Sequence, residues 1–288
     1  MSVLLMTVWL TGCVQEEFES TPSPAGNGIR FTLTVPDVNL PSVSSRTMTG
    51  TGTAKKEDEI ETVDILVFDM SKTPAVFLEW VSATGVTQDL ADNSTVSFSA
   101  VLSPTTASTC IVVVANKELD NIVSGFTKGA TTKVEAMEKM LHTQTGKWLA
   151  DGSTTGGYTR IPMYGEKVIS KITPSMNPIT EINMKRMLAR IDIRNNSATS
   201  NFTVEEVYLA NHNTTGYIAP AWNTNGQVTD PVPDTPVLPA GSGKMTEEGD
   251  VIRYSVNGNT PYDGEIYTFE SLAAEDAGGA GAVRMLLA

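Results

Sequence analysis

The sequence predicts a mainly β protein made of two β-sandwich domains, with one short helix in the first. Three observations predict it. About ten apolar runs rich in Val, Ile, Phe and Thr recur along the chain, the composition that suits a pleated, half-buried surface. Gly and Pro fall mostly between those runs, where turns need them. A single stretch carries its apolar residues at helical spacing instead. The 288 residues are enough to enclose two cores.

The first predicted strand is Ile29-Arg30-Phe31-Thr32-Leu33-Thr34-Val35, which alternates apolar and polar throughout and ends at Pro36. Ile29, Phe31, Leu33 and Val35 are its in-pointing residues. A loop of Pro, Ser, Thr and Gly follows from Asp37 to Gly52, with Arg46 as its one basic residue and Thr47 next to it. The runs Ile60–Asp69, Ala75–Ser82, Ser94–Leu102 and Thr109–Ala115 are the next four predicted strands. Thr132–His142 is the predicted helix. Val134, Met137 and Leu141 share a face, Thr132 and Glu135 have capping-box spacing, and His142 falls in the last turn.

Ile161–Ile169 and Glu181–Arg194 are the following strands, and the apolar parity of the second slips once, which predicts a bulge. Asn195–Ser200 is the expected linker between the domains. Beyond it lie strands Phe202–Leu209, Val251–Val256 and Ile266–Glu270, the first two parted by the Pro-, Gly- and Asp-rich stretch Asp230–Gly249. The chain closes on the apolar run Val283–Ala288, which predicts a fragment that stops inside its second domain. The expected division is residues 1–13 as a signal peptide, 14–46 as linker and pro-segment, 47–194 as the first sandwich and 195–288 as the second.

Val3–Leu10 is an apolar run too short to cross a bilayer and resembles the core of a secretory signal, although no basic residue precedes it. Leu10-Thr11-Gly12-Cys13 resembles a bacterial lipobox, in which small residues fit a narrow peptidase cleft and the thiol accepts the acyl chains. Cys13 is therefore the expected lipidation site, and two or three acyl chains anchor a protein firmly. Val14-Gln15-Glu16-Glu17 resembles an acidic surface-export signal, and Glu19–Gly28 is a linker of Ser, Pro and Gly.

Charge and chemistry exclude several classes. A net charge of −13 without any basic stripe speaks against a nucleic-acid partner. Cys110 lies in an apolar strand and is expected to be a buried small hydrophobe. The two histidines, His142 and His212, have no second ligand at metal spacing, so neither a metal nor a cofactor is expected. Gly241-Ser242-Gly243-Lys244 fails as a phosphate loop, because Leu238 stands where the first Gly belongs and Met245 where Ser or Thr belongs. No catalytic constellation is expected.

Taken in order, several segments resemble the fimbrillins of the Bacteroides group. They are Cys13, the strand Ile29–Val35, the pair Arg46-Thr47 and Ile60–Asp69, followed by Val112-Val113-Val114-Ala115-Asn116-Lys117 and Ile161-Pro162-Met163-Tyr164-Gly165. Arg186-Met187-Leu188-Ala189-Arg190-Ile191-Asp192, Val207–Asn211, Gly216–Pro220 and Ile266–Glu270 complete the set. The resemblance implies sandwich domains of transthyretin-like, Greek-key topology. It also implies a fimbrial subunit on the cell outer membrane that contributes to adhesion to a host or bacterial surface ligand. A trypsin-like protease would cut after Arg46, freeing Thr47. Loss of Ile29–Val35 would then open a groove for a strand of another fimbrillin subunit. The competing expectation is a membrane-retained surface lipoprotein that binds glycan or anchors a fimbria. Trp80, Trp148 and Trp222 are its candidate sugar platforms, with Trp80 expected in the core.

Overall fold

The computed structural model describes residues 29–34, 59–88, 95–144, 146–148, 160–174, 176–193, 201–229, 236–240, 251–256, 262–271 and 284–287. The fold is mainly β. Among these residues the early strands are β1 (Ile29–Thr34), β2 (Val63–Asp69), β3 (Val76–Ser82), β4 (Thr84–Gln88), β5 (Thr95–Ala100) and β6 (Thr109–Ala115). Two short helices follow, α1 (Asp120–Val123) and α2 (Lys133–Lys139), and then β7 (Leu141–Thr143), β8 (Met163–Ile169), β9 (Ile179–Asn183) and β10 (Lys185–Arg186). The later strands are β11 (Leu188–Ile193), β12 (Glu206–Ala210), β13 (Thr215–Tyr217), β14 (Ile252–Ser255), β15 (Tyr262–Phe269) and β16 (Arg284–Leu287).

A four-stranded sheet, β4-β5-β1-β9, faces a five-stranded sheet, β10-β8-β6-β2-β3. Between them lies a core of Ile29, Phe31 and Leu33 from β1, Val96 and Phe98 from β5, Val63, Ile65 and Val67 from β2, and Ile111 and Val113 from β6. The five-stranded sheet is covered on its other face too. There Leu66, Phe68, Cys110, Val112 and Val114 meet Ala136 and Met137 of α2, together with Ile218, Tyr267 and Phe269 from later in the chain. This double cover explains the continuous apolar run of β6: every residue of the strand is buried, and Cys110 to Ala115 alternate between the two cores.

A smaller core lies between the sheet β14-β12-β16 and the ribbon β11-β15, built from Ile193, Val204, Val207, Leu209, Ile252, Tyr254, Val256 and Ile266. Strand β15 serves two cores by its pleat. Ile266 points into this small core, whereas Tyr267 and Phe269 point at the outer face of the first sandwich.

Three expectations are corrected. The helix is shorter than predicted, Lys133–Lys139, and it is joined by the four-residue α1. Its capping box forms as the spacing predicts: Glu135 N–H donates to Thr132 Oγ1 (3.2 Å), and Thr132 N–H donates to Glu135 Oε2 (2.8 Å). It ends early because Leu141–Thr143 pair with β13, so His142 is a strand residue opposite Gly216, not a helix-end cation. The predicted single strand Glu181–Arg194 is, over its described residues up to Ile193, divided among β9, β10 and β11 in three different sheets. Its parity slip marks a passage between cores rather than a single bulge, for Met184 lies in the sandwich interior and Met187 in the core on the far side. Cys13, Val35, Arg46, Thr47, the linker Asn195–Ser200 and the loop Gly241–Lys244 lie outside the described residues.

Candidate functional site: the seat of the first strand

Strand β1 is interior to its sheet, flanked on both edges. It runs antiparallel to β5 through six pairs, from Ile29↔Ala100 to Thr34↔Thr95. On the other side it runs parallel to β9, with Phe31↔Ile179, Leu33↔Ile182 and Thr34↔Asn183. The register shifts between Phe31 and Leu33, where Glu181 of β9 takes a positive φ of 61°. An extra residue on β9 absorbs the mismatch.

The alternation read from the sequence becomes a division of labour. Ile29, Phe31 and Leu33 are 5%, 1% and 0% exposed, while Arg30 faces outward. Phe31 stacks on Phe98 with ring centroids 5.0 Å apart and planes within 8°. Burying three such side chains stabilises the sheet by about 5–9 kcal/mol in all. Removing the strand would expose that apolar slot together with two rows of backbone N–H and C=O groups.

At Glu59–Glu61 the chain is held by hydrogen bonds and ion pairs to Asn116, Gln88 and Arg160. Asn116, at the end of β6, has a left-handed φ of 58°. Its Nδ2 donates to the carbonyls of Glu59 (2.8 Å) and Ile161 (3.0 Å), and its Oδ1 accepts from Glu61 N–H (3.0 Å). Ile60 is buried, and its N–H donates to Gln88 Oε1 (3.1 Å). Arg160 pairs with Glu59 (3.3 Å) and Glu61 (2.6 Å). The entry to β2, the end of β6 and the approach to β8 are thus tied at one point.

Two further sequence motifs have physical reasons in the fold. In Ile161–Gly165, a Cβ at Gly165 would come within 2.7 Å of Met184 Sδ and 2.8 Å of Ile182 Cγ2, so only Gly lets the β9–β10 crossing lie against β8. In the segment Arg186–Asp192 the chain crosses between sheets, and Met187 N–H donates to the Pro162 carbonyl (3.2 Å).

The other inspected residues have packing roles. Burial pushes the Cys110 thiol up to about 11, the opposite of an activated nucleophile. Lys133 is fully buried and pairs with Glu166 (2.6 Å), whose carboxylate also accepts from Tyr164 O–H (2.5 Å) and Val228 N–H (3.2 Å). His142 packs 5.0 Å from the Trp148 ring, and burial with nearby Lys117 lowers its pKa to about 4. Trp148 is 3% exposed and offers no sugar platform. Trp80 and Trp222 are half-buried against the same core. Among the described residues, no three His, Cys, Asp or Glu side chains are grouped to hold a metal.

A family model described as fimbrillin-A associated anchor proteins Mfa1 and Mfa2 matches residues 21–275. Among solved structures, one similar chain is a fimbrial assembly protein from Parabacteroides distasonis, with 10% identity and a TM-score of 0.42; the match covers 85% of this chain and 77% of that one. Another is a candidate cell adhesion protein from the same organism, with 16% identity and a TM-score of 0.48, covering 91% of this chain and 74% of that one. No curated protein matches.

Proposed function

The chain belongs to the family of fimbrillin-A associated anchor proteins Mfa1 and Mfa2, and from that premise we propose that it is a non-enzymatic structural subunit of a cell-surface fimbria, assembled by exchange of its first strand. The observation that carries the reading is the position of β1. It fills the middle of a sheet, yet the chain that follows it is also tied at Glu59 and Glu61 by hydrogen bonds to Asn116. Cutting the connection after Arg46 would leave that downstream anchorage intact while releasing β1. A neighbouring subunit's strand would then pair with β5 and β9 in its place.

In the full proposal the precursor is exported, acylated at Cys13 and held at the outer membrane before a trypsin-like protease acts. The test compares polymer formed by wild type and Arg46→Ala in the same protease-positive host. Polymer is expected only from wild type; equal polymer from both would sink the proposal.

The description of the family as anchor proteins favours a second reading, in which β1 stays seated and the subunit holds a fimbria at the membrane. Amino-terminal sequencing of the assembled protein separates the two. Thr47 as first residue means exchange, whereas a chain that retains Ile29–Thr34 means an anchor.

A further inference from the structure

We infer that the seat of β1 selects its occupant by sequence. It takes an extended segment with aliphatic, aromatic and aliphatic residues at alternate positions, in one direction only, and Phe98 reads the aromatic. This rests on the strand-exchange reading above.

The sandwich core packs the inward side chains of β1 between its two sheets. Among its described buried residues, Phe31 and Phe98 are the only aromatics; the rest are Ile, Val, Leu, Ala and Met. Half of the aromatic volume between the sheets is therefore supplied by β1 itself. Phe98 presents a flat face to it, and the stacked geometry needs a second flat ring. A leucine there would match the ring in neither thickness nor outline, and the close-packed aliphatic floor of Ile65, Val67, Ile111 and Val113 leaves little to collapse into the gap.

The flanking positions differ. Ile29 lies beside the small Ala100, which leaves room for a branched chain, and Leu33 lies between Val96 and Ile182. Direction is set by two features. The ladder with β5 is antiparallel and unbroken, and the bulge at Glu181 falls between the partners of Phe31 and Leu33. A reversed strand would meet that bulge out of step. Arg30 faces outward, away from the core that reads the other three positions.

The test uses the full chain, folded and then nicked by protease in the connection between residues 34 and 59. A fluorescent peptide of residues 27–36 is added in excess, and its uptake and retention are followed by anisotropy. Parallel peptides carry Phe31→Leu or Phe31→Ala, and the unaltered peptide is also made with a contact quencher at one end or the other. Retention is expected to fall about fivefold for the leucine peptide, since a stacked pair adds on the order of 1 kcal/mol beyond area. It is expected to fall about 100-fold or more for the alanine peptide, with its cavity. A contact quencher on the carboxyl-terminal end of the bound peptide is expected to dim a fluorophore at Thr95, and one on the amino-terminal end is not, because Thr34 lies opposite Thr95 and Ile29 opposite Ala100. In a Phe98→Leu chain the preference for Phe over Leu is expected to shrink to about twofold or less, the signature of a direct pair.

Equal retention of the Phe and Leu peptides by the wild-type chain overturns the inference while leaving strand exchange intact. So does an undiminished preference in Phe98→Leu, or equal quenching at Thr95 from the two ends of the peptide. If the unaltered peptide never enters the nicked chain, strand exchange fails and the inference falls with it. The peptide series on the wild-type chain is decisive even if Phe98→Leu fails to fold.

Discussion

Asn116 holds the backbone of Glu59 through a 2.8 Å hydrogen bond from its side-chain amide, across 57 residues of sequence. The same amide group reaches Ile161, and its oxygen serves Glu61. One side chain therefore closes the base of the sandwich, and it does so from a backbone conformation that asparagine tolerates and most residues do not.

Replacing it should be costly in a graded way. Asn116→Ala loses the three side-chain hydrogen bonds and strains the left-handed backbone, for an expected loss of about 3–5 kcal/mol. Asn116→Gly loses only the bonds and should cost about 1–2 kcal/mol less than the alanine variant. Urea unfolding with an unchanged m-value reads both. If the two variants are equally stable, the backbone part of the account is wrong.

Gly165→Ala tests the crossing at the sandwich edge. The added methyl would press on Met184, Ile182 and the Asn183 carbonyl at 2.7, 2.8 and 3.0 Å. Because part of that wall is backbone, an expected cost of about 2–3 kcal/mol follows. Hydrogen exchange should also speed up in β9 and in its neighbour β1. A variant as stable as wild type would refute the steric reading.

The pair of buried Lys133 and half-buried Glu166 should behave as a unit. Lys133→Met leaves a carboxylate facing only Tyr164 and the Val228 N–H, for an expected loss of about 3–5 kcal/mol. Adding Glu166→Gln should recover part of it, because the uncompensated charge is gone. A double variant no more stable than Lys133→Met contradicts this.

His142 sets a pH dependence with a definite sign. Its folded-state pKa is lowered to about 4, chiefly by burial and further by Lys117, while the unfolded value stays near the ordinary 6.5. Its contribution to stability is therefore complete above about pH 6.5 and is lost as pH falls toward 4. His142→Gln should flatten the stability profile in that window. Parallel profiles for the two proteins would count against it.

Lipidation is tested apart from the fold. Cys13→Ala should abolish palmitate labelling and release the protein from the membrane fraction. A variant that still labels removes Cys13 from the proposal.

Much of the fold was legible because local pattern and tertiary role agree. The alternation of Ile29–Leu33 is the burial pattern of β1, and the unbroken apolar run of β6 reflects a sheet covered twice. The capping box at Thr132 was readable from a spacing of three residues. What escaped depends on partners far away in sequence. Leu141–Thr143 is a strand only because Thr215–Tyr217 pairs with it, and no local signal overrides its helical spacing. The division of residues 179–193 among three sheets was likewise hidden, since a parity slip looks the same for a bulge and for a change of sheet. At the candidate site, the in-pointing residues could be read, but the Phe31–Phe98 stack and the interior place of β1 could not, because register between strands is not local information.

The interior position of β1 has a mechanical meaning. A strand bonded along both edges, when pulled along its axis, strains all its ladder bonds at once, so it is loaded in shear. A strand at the rim, pulled away from its single neighbour, opens one bond after another like a zip. Any strand that takes the seat of β1 inherits the shear geometry of this sheet. A fibre whose joints are made there would resist tension at every joint without a covalent link between subunits.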